Sequence, residues 1–552
     1  MSFDYDAIII GSGMGALTAA SLLSQMRGQK VLVLERHFKV GGFTHTFSRH
    51  GYKFDVGLHY VGEMQSGSRS RQLFDLVSGG GVDWAPLPDI YDKFVYPDLT
   101  ISASSNRAVY IDELERRFPY ERAAIRQYFK DIDAVCLAVQ TKTAAGFMPG
   151  FIAGPVNLLN TTFKRLATIS TADYLNANFK DVKLKAVLVS QWGDYGLPPS
   201  LSSFAIHSLI ATHFLKGAYY PTGSADSIAQ SIVPIIKRAG GDVLVNHKVN
   251  EIVVKNGVAC GITGTDAQGK PFDFSARHIV SNAGIYPTFQ KLLPAAYRVP
   301  VLGYTDELDC SSISAYIGFK RSPQELGFQG ENHWLHTSYD HDAEYAARRN
   351  PLGKPGFAYL SFASLKDKMA EKHTAQIITI ASAEPFRKWQ DTAWKKRGSE
   401  YEQYKDRLTD NLLTIIEERY SGFRDLIDYC ELSTPLTVES FTGHPAGRIY
   451  GQPMTPQVVA ARSFKPDTHV KNLYLSGADN MAPGIMGAFM GGVFCAARIM
   501  GAFGLAEIMT SAARRKSDKG EESNKISALQ NARTITKPAK DAEALSEPQK
   551  IR

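Results

Sequence analysis

A histidine and a tyrosine stand side by side in an otherwise apolar stretch, FDVGLHYVG, at residues 54–62. Histidine titrates near neutral pH, so His59 is an apt proton carrier, and the hydroxyl of Tyr60 is a second candidate for proton transfer. Tyr220 and His444 are weaker candidates for the same role. The structural alternative is a histidine that hydrogen-bonds backbone and a tyrosine that packs with its hydroxyl satisfied. We predict His59 and Tyr60 as catalytic residues and keep that alternative open.

A glycine-rich turn close to the N-terminus predicts a dinucleotide site. Residues 11–16, GSGMGA, match the pattern G-x-G-x-x-G/A with alanine in the last position. Gly11 permits the tight turn, Gly13 lets the backbone approach a pyrophosphate, and Ala16 is small enough for close packing of helix on strand. The phosphate would then lie at a helix N-terminus. Because the motif alone is weak, the elements around it decide the interpretation.

The elements that must position this turn form a βαβ unit of about thirty residues. The apolar run at 5–10 predicts a buried strand, an Ala/Leu-rich pattern predicts a helix at about 16–26, and KVLVLE predicts a second strand at 30–35. Glu35 ends that strand, where its carboxylate can accept hydrogen bonds from both ribose hydroxyls. A carboxylate there disfavours the 2′-phosphate of NADP. This context makes a chance glycine turn with an incidental glutamate the weaker alternative.

Two later segments repeat the α/β character. A helix is predicted at about 224–238, where Gly240 and Gly241 end it and strands follow, and residues 471–500 predict a strand, a loop and a helix. The glycine pair closes a helix rather than opening one, so we expect no second dinucleotide turn and no separate NAD(P)H domain. Electrons must therefore pass to or from the substrate, a quinone, oxygen or another protein.

Composition and charge narrow the class of protein. The net charge is +7, but ten basic and six acidic residues lie between 513 and 552, which leaves +3 on the body and gives little support for nucleic-acid binding. That C-terminal segment lacks hydrophobic periodicity and is predicted to be disordered. Five cysteines, no two closer than 50 positions, exclude a CxxC site and suit a reducing compartment. The histidines show no metal-binding spacing with a partner carboxylate, so no metal is expected.

We expect a cytoplasmic protein with peripheral contact to the inner face of a membrane. The N-terminal sequence MSFDYDAIII lacks the pattern of a signal peptide. Residues 481–497 could be mistaken for a membrane span, but they are short and rich in glycine, and we expect them to pack against a cofactor. The apolar segment 144–166, broken by Pro149 and Pro155, could dip into a bilayer interface. An internal helix and loop of the substrate-binding part is equally compatible with that segment.

Further motifs resemble those of flavoproteins with two dinucleotide-binding domains. Gly41 and Gly42 follow Glu35 at the spacing of that family's second glycine pair, and LYLSGAD at 473–479 resembles its closing motif. The resemblance implies FAD, with Asp479 near the ribityl or pyrophosphate region and the next helix facing the pyrimidine edge of the flavin. The cofactor-binding residues that it implies are Gly11, Gly13, Gly15, Ala16, Glu35, Arg36, Gly41, Gly42, Thr44, Gly57, Val249, Asn282, Asp479, Met486 and Gly487.

Over about residues 1–505 the chain resembles the superfamily of phytoene desaturases, carotenoid isomerases and retinol saturases. GAYYPTGSADSIAQSI is similar to the family's G-x-Y-P-x-G-G element, with Ser224 in place of a glycine, and the segment at 434–451, TPLTVESFTGHPAGRIYG, is more specific. FDVGLHYVG resembles the retinol saturase branch in particular. Members of the superfamily act on long conjugated isoprenoids and associate with membranes peripherally.

The resemblance implies an α/β fold: a Rossmann-like two-dinucleotide-binding-domain flavoprotein with an intertwined α+β substrate domain. The FAD-binding domain would comprise residues 1–75, 215–290 and 431–510, and the substrate-binding domain residues 76–214 and 291–430. The implied function is an FAD-dependent oxidoreductase that saturates or desaturates a long apolar polyene. Three alternatives stay open: a redox-neutral cis–trans isomerase that uses reduced flavin, a non-catalytic flavin-bound carrier of a hydrophobic ligand and, more remotely, an amine-oxidase-like enzyme.

Overall fold

The structure is a computed structural model that describes residues 3–514, and its two largest sheets each contain seven strands. The strands are β1 (Tyr5–Ile10), β2 (Val31–Leu34), β3 (Thr46–Arg49), β4 (Tyr52–Asp55), β5 (Val61–Gly62), β6 (Trp84–Pro86), β7 (Ile90–Val95), β8 (Thr100–Ser104), β9 (Ala218–Pro221), β10 (Asp242–Leu244), β11 (His247–Lys255), β12 (Val258–Asp266), β13 (Pro271–Ser281), β14 (Ser311–Phe319), β15 (Asn332–His336), β16 (Phe357–Ser361), β17 (His373–Ala381), β18 (Ile427–Ser433) and β19 (Leu473–Leu475). The helices are α1 (Met14–Arg27), α2 (Arg69–Val77), α3 (Arg107–Arg117), α4 (Arg122–Ala145), α5 (Gly150–Leu159), α6 (Thr171–Asn178), α7 (Val182–Leu188), α8 (Phe204–Phe214), α9 (Ser227–Arg238), α10 (Ile285–Pro287), α11 (His341–Ala347), α12 (Ala363–Lys366), α13 (Ser399–Arg419), α14 (Pro435–Thr442), α15 (Pro456–Ala461) and α16 (Ile485–Met500). A last helical segment begins at residue 504.

The first sheet has a parallel core in the order β10-β2-β1-β13, and β19 also pairs in parallel with β13. The C-terminal half of β13 pairs with β1, whereas its N-terminal half pairs antiparallel with β12, which pairs in turn with β11. Residues 7–10 and 31–34 are buried on both faces of the sheet, which is why they form continuous apolar runs. The predicted strand at 5–10 is confirmed. The strand predicted at 30–35 is one residue shorter at each end, so Glu35 lies just beyond it.

Helices α1 and α9 pack against each other, and α1 also packs closely on α16. The predicted helices at 16–26 and 224–238 are confirmed, with starts at Met14 and Ser227. A Cβ added to Gly492 of α16 would lie 2.4 Å from the backbone oxygen of Gly15, so the two helices approach where neither carries a side chain. Among residues 3–514, no helix is long and apolar enough to cross a membrane.

The second sheet has the order β18-β14-β17-β16-β15-β7-β8 and is antiparallel except where β15 pairs with β7. Helix α13, 21 residues long, packs beside β16 in a core that includes Phe386, Leu412 and Phe423. Helix α4 packs against α3, α5 and α8. Two sheets of this kind, each with packed helices, confirm the predicted α/β class.

Two small sheets carry the His59–Tyr60 segment. Strands β3 and β4 form an antiparallel hairpin, and β5 pairs with β9 in a three-stranded sheet that β6 completes. His59 and Tyr60 lie in the connection from β4 to β5, so strand pairing fixes the backbone on both sides of them. The predicted disordered tail lies, from residue 515 onward, outside the described residues.

Candidate active site

A continuous cavity of about 1340 Å³ lies at the carboxyl ends of the parallel strands. It extends from the turn after β1 to aromatic side chains on β15 and β16, including Trp334 and Tyr359. Sites for one small ligand are typically about 300–1,000 Å³, so this cavity has room for a dinucleotide and a second molecule. The predicted site residues that line it are Gly11, Gly13, Gly15, Glu35, Arg36, Gly41, Gly42, Thr44, Gly57, His59, Tyr60, Val249, Asn282, Asp479, Met486 and Gly487.

The glycine turn after β1 leaves no room for side chains. Gly11 has a φ of +91°, and a Cβ on Gly13 would lie 2.7 Å from Nδ2 of Asn282. A Cβ on Gly42 would lie 2.9 Å from the Cα of Gly13, so the second glycine pair closes over the first turn. Helix α1 begins here with no side-chain cap, and its first backbone N–H groups suit an anion such as phosphate. Ala16 is the one predicted cofactor residue that does not line the cavity; it is fully buried inside α1.

Glu35 lies just after β2, buried, with both carboxylate oxygens engaged. Oε2 accepts hydrogen bonds from the backbone N–H (2.9 Å) and the hydroxyl (2.6 Å) of Ser12, and Oε1 accepts from the backbone N–H of His37 (2.8 Å). The Ser12 hydroxyl oxygen also accepts from the backbone N–H of Gly41 (3.1 Å). Ser12 therefore connects the carboxylate to both glycine-rich turns. Sequence reasoning missed Ser12, which the motif represents only as a variable position.

Asp479 closes the other side of the cavity. Its Oδ1 accepts from the backbone N–H of Gln452 (2.6 Å) and its Oδ2 from that of Ile285 (2.7 Å), so it joins two loops at the cavity wall. Helix α16 begins just after Gly484, which provides no side-chain cap, and Met486 lies in its first turn. Because these residues line the cavity, the positive end of the helix dipole faces it, and that field stabilises negative charge.

Packing, rather than hydrogen bonding, holds the imidazole of His59 at the cavity. The ring lies edge-on to Tyr359, with centroids 5.5 Å apart, and its nitrogens make no hydrogen bond within the part of the chain that the structure describes. Within residues 3–514 the His59 ring therefore does not hydrogen-bond the backbone, as the structural alternative would require. Burial, with the nearby charge of Lys366, lowers the pKa of His59 to about 3. The imidazole is accordingly neutral at physiological pH.

Tyr60 is both packed and placed at the cavity. Its ring stacks on Phe214 with centroids 4.2 Å apart. Its hydroxyl lies 3.0 Å from Oδ2 of Asp194 and 3.2 Å from Oδ2 of Asp92, and it can donate to either carboxylate. Burial, with the charges of the two carboxylates, raises the pKa of Tyr60 well above its ordinary value, so the phenol keeps its proton.

Two carboxylates that the sequence analysis did not identify meet at the Tyr60 hydroxyl. Asp92 lies on β7, is fully buried, and accepts from Gln191 Nε2 (2.8 Å) and Asn332 Nδ2 (2.9 Å). Asp194 follows α7 and lines the cavity. Burial raises the pKa of Asp92 to about 6, and burial together with the charge of Asp92 raises the pKa of Asp194 to about 8. A signal was present in QWGDYG, at 191–196, where one acid stands between aromatic residues.

Tyr220 and His444 have different surroundings. Tyr220 does not line the cavity: its hydroxyl donates to Oδ2 of Asp55, whose Oδ1 accepts from the backbone N–H of Ala225 (3.0 Å). These bonds tie β4 to β9 and to the residues after it, so the Tyr220 hydroxyl is engaged outside the cavity. His444 does line the cavity, and its Nδ1 lies 3.1 Å from the backbone oxygen of Arg448.

A separate buried cluster has residue types that could hold a metal. The Nδ1 atoms of His336 and His341 lie 2.9 and 2.8 Å from the same oxygen of Glu344. The sequence analysis found no metal-binding spacing of histidines with a carboxylate and so did not identify this group. Each Nε2 contacts a backbone oxygen, at 3.1 and 3.0 Å. The indole N–H of Trp192 donates to Nδ1 of His341 at 3.0 Å. Because this donor occupies the nitrogen that a metal would need, we interpret the cluster as a hydrogen-bond network.

Sequence similarity to known proteins extends over most of the chain. Residues 9–77 match the family described as NAD(P)-binding Rossmann-like domain. The all-trans-retinol 13,14-reductase of Danio rerio is 33% identical over 90% of this chain and 86% of its own length, and that of Homo sapiens is 30% identical over 90% and 85%. Prolycopene isomerase 1, chloroplastic, of an Oncidium hybrid cultivar is 25% identical over 91% of this chain and 85% of its own length.

Solved structures share the fold at low sequence identity. Cyclohexylamine oxidase from Brevibacterium oxydans IH-35A has a TM-score of 0.56 at 16% identity, covering 92% of this chain and 99% of that one. Wild-type putrescine oxidase bound to putrescine has a TM-score of 0.57 at 15% identity, covering 90% and 99%. These identities are too low to transfer a substrate, so the likeness concerns architecture alone.

Proposed function

Because this chain belongs to the family of the all-trans-retinol 13,14-reductases, we propose that it binds FAD and reduces a carbon–carbon double bond of a retinoid-like polyene. The observation that carries the proposal is one continuous cavity that joins a dinucleotide turn to an aromatic end. The family relationship makes the chain an oxidoreductase of such double bonds. The cis–trans isomerase alternative fits less well because the isomerase relatives are less similar.

The residues present fit FAD. The two glycine turns pack closely, since a Cβ at Gly13 would meet Asn282 and a Cβ at Gly42 would meet Gly13, and helix α1 presents uncapped N–H groups there that suit a pyrophosphate. In this proposal Glu35 holds the ribose of the adenosine half, and Val249 contacts adenine through its backbone. Asp479 and the first turn of α16 hold the flavin half. A bound FAD supplies hydride transfer, and the field of α16 would favour its anionic reduced form.

The far end of the cavity suits an apolar chain. Its lining there includes Trp334, Phe357, Tyr359, Ile378 and Ile380. Large apolar and aromatic side chains exclude water and gain free energy when they cover a polyene. In this proposal His59, whose neutral ring makes no hydrogen bond within residues 3–514, presents that ring to the substrate or the flavin. We place the substrate-binding domain at residues 76–214 and 291–430 and the FAD-binding domain in the remaining segments up to 510.

An apolar surface offers a route for such a substrate. Helix α5 has no buried residue, and Phe151, Leu158 and Leu159 are 79, 68 and 78% exposed. The following segment carries Lys164 and Arg165, which can contact anionic lipid headgroups. Helix α4, which packs against α5, contributes residues to the cavity wall. We propose that this surface rests on the inner face of a membrane and that lipid-dissolved substrate enters beside it.

The proposal is tested by incubating purified, chemically reduced holoprotein without oxygen with a panel of retinoids, carotenoids and unsaturated lipids. A product two hydrogens heavier than all-trans-retinol or a close relative supports reduction. Unchanged mass with altered retention would show an isomerase. Tight binding with no product would show a carrier. Protein that stays colourless when FAD is added would contradict the cofactor assignment.

A further inference from the structure

The Tyr60 hydroxyl faces two carboxylates but has one proton to offer. Asp92 and Asp194 lie 3.2 and 3.0 Å from it. Two anionic carboxylates around one hydroxyl, away from water, repel each other, so such a pair retains a proton of its own. The surroundings decide which carboxylate holds it. Asp92 accepts two further N–H bonds, from Gln191 and Asn332, and these stabilise a negative charge on it.

Asp194 has the opposite environment. Tyr60 is its one side-chain hydrogen-bond partner within residues 3–514, and the bond goes to Oδ2. Its Oδ1 makes no such bond, and the residue lines the cavity. A carboxyl group with few donors and a charged neighbour is more stable with its proton. Asp194 therefore stores a proton beside the space that a substrate would fill, while Asp92 carries the negative charge of the pair.

We propose that Asp194 is the general acid of the reaction and gives the proton at its Oδ1 to the substrate. The inference rests on the proposed function, in which a carbon–carbon double bond is reduced by a hydride from reduced flavin. As the π bond breaks, one carbon receives the hydride and its neighbour receives the proton of Asp194, so two C–H bonds form. Asp194 is left as a carboxylate that accepts a hydrogen bond from Tyr60 and regains a proton from water after the product leaves.

The other ionisable groups near Asp194 do not compete for this role. Burial raises the pKa of Tyr60, Tyr195, Tyr359 and Tyr450 far above neutrality, so these phenols are weak acids. His59 is neutral. Lys366, whose pKa burial lowers to about 7, donates to the backbone oxygen of His59 (3.0 Å), to Ser361 Oγ (2.7 Å) and to Asn332 Oδ1, and hydrogen-bonds neither aspartate. Burial and the charge of Asp92 raise the pKa of Asp194 to about 8, which keeps it protonated at neutral pH.

The first test needs neither substrate nor turnover. Infrared spectra of the holoprotein at pH 7 should contain the C=O band of a protonated, buried carboxylic acid. Asp194→Asn should remove that band, and the matched variant Asp92→Asn should keep it. In Asp92→Asn the band should titrate at lower pH than in the wild type, because removing a neighbouring negative charge lowers the pKa of Asp194. A wild type without the band, or Asp194→Asn with the band intact, would overturn the proposal.

The second test measures turnover. Asp194→Asn should lower kcat about 10²- to 10⁴-fold with FAD content unchanged. Asp194→Glu should recover part of that loss, and wild-type activity should decline as pH rises through about 8. Turnover by Asp194→Asn at the wild-type rate would refute the acid role. A wild type that carries the infrared band but reduces no polyene would refute the proposed function, and the acid role with it.

Discussion

Replacing Glu35 by Gln tests the assignment of the nucleotide end. The carboxylate uses Oε2 for two donors from Ser12 and Oε1 for one from His37. A glutamine offers one oxygen, so one of these donors would face an NH₂ group instead. In the proposed complex the ribose hydroxyls lose a charged acceptor as well. Hydrogen bonds to charged groups contribute about 1.5–3 kcal/mol each, so a loss of about 2–3 kcal/mol in FAD binding is expected.

That loss corresponds to an increase of roughly 30- to 150-fold in the Kd for FAD. The assay is titration of apoprotein with FAD, followed by quenching of flavin fluorescence. Ser12→Ala is the matched control: it removes one hydroxyl bond to Glu35 but keeps the carboxylate, so a change of about 5-fold is expected. Thermal unfolding of both apoproteins separates binding from folding. An unchanged Kd for Glu35→Gln, or an equal change in both variants, would refute the ribose assignment.

The other predictions concern packing, membrane contact and the cavity histidine. Gly492→Ala should destabilise the protein by about 1–3 kcal/mol, because its Cβ would clash with a backbone oxygen of α1. The control Gly154→Ala has open space around its Cβ and should be neutral or slightly stabilising. Equal melting temperatures for the two variants would contradict the close packing of α1 on α16. Phe151→Ser should weaken binding to vesicles that contain anionic lipid, whereas the exposed Tyr120→Ser should not; equal binding by both variants and the wild type would argue against docking through α5. His59→Ala should retain FAD and lose turnover, and full turnover would show that the ring only fills space.

The sequence predicted the nucleotide half of the fold well because its signals are local. Continuous apolar runs at 5–10 and 31–34 reflect strands buried on both faces, and the glycines mark turns where a Cβ has no room. Helix α1 begins at Met14, two residues before the predicted start. The predicted cofactor residues other than Ala16 line one cavity.

The second sheet and the acid pair were harder to predict, because they depend on contacts between distant segments. Asp92 and Asp194 are about a hundred positions apart and come together only in the folded chain, where both contact the Tyr60 hydroxyl. Tyr220 shows the reverse difficulty: it was a weaker candidate for proton transfer, and its hydroxyl bonds Asp55 outside the cavity. The cluster of His336, His341 and Glu344 was missed because its spacing spans the end of β15 and the start of α11. Neither apolar periodicity nor a local motif indicates contacts between distant segments, or between side chains of two successive elements.

A single-turnover reaction tests the central claim most directly. Holoprotein is photoreduced without oxygen and mixed with all-trans-retinol, and the flavin absorbance and the product mass are followed together. We predict that flavin reoxidises at the rate at which a product two hydrogens heavier forms, in a one-to-one ratio. Flavin that stays reduced while retinol keeps its mass would contradict the claim that this chain reduces a polyene double bond.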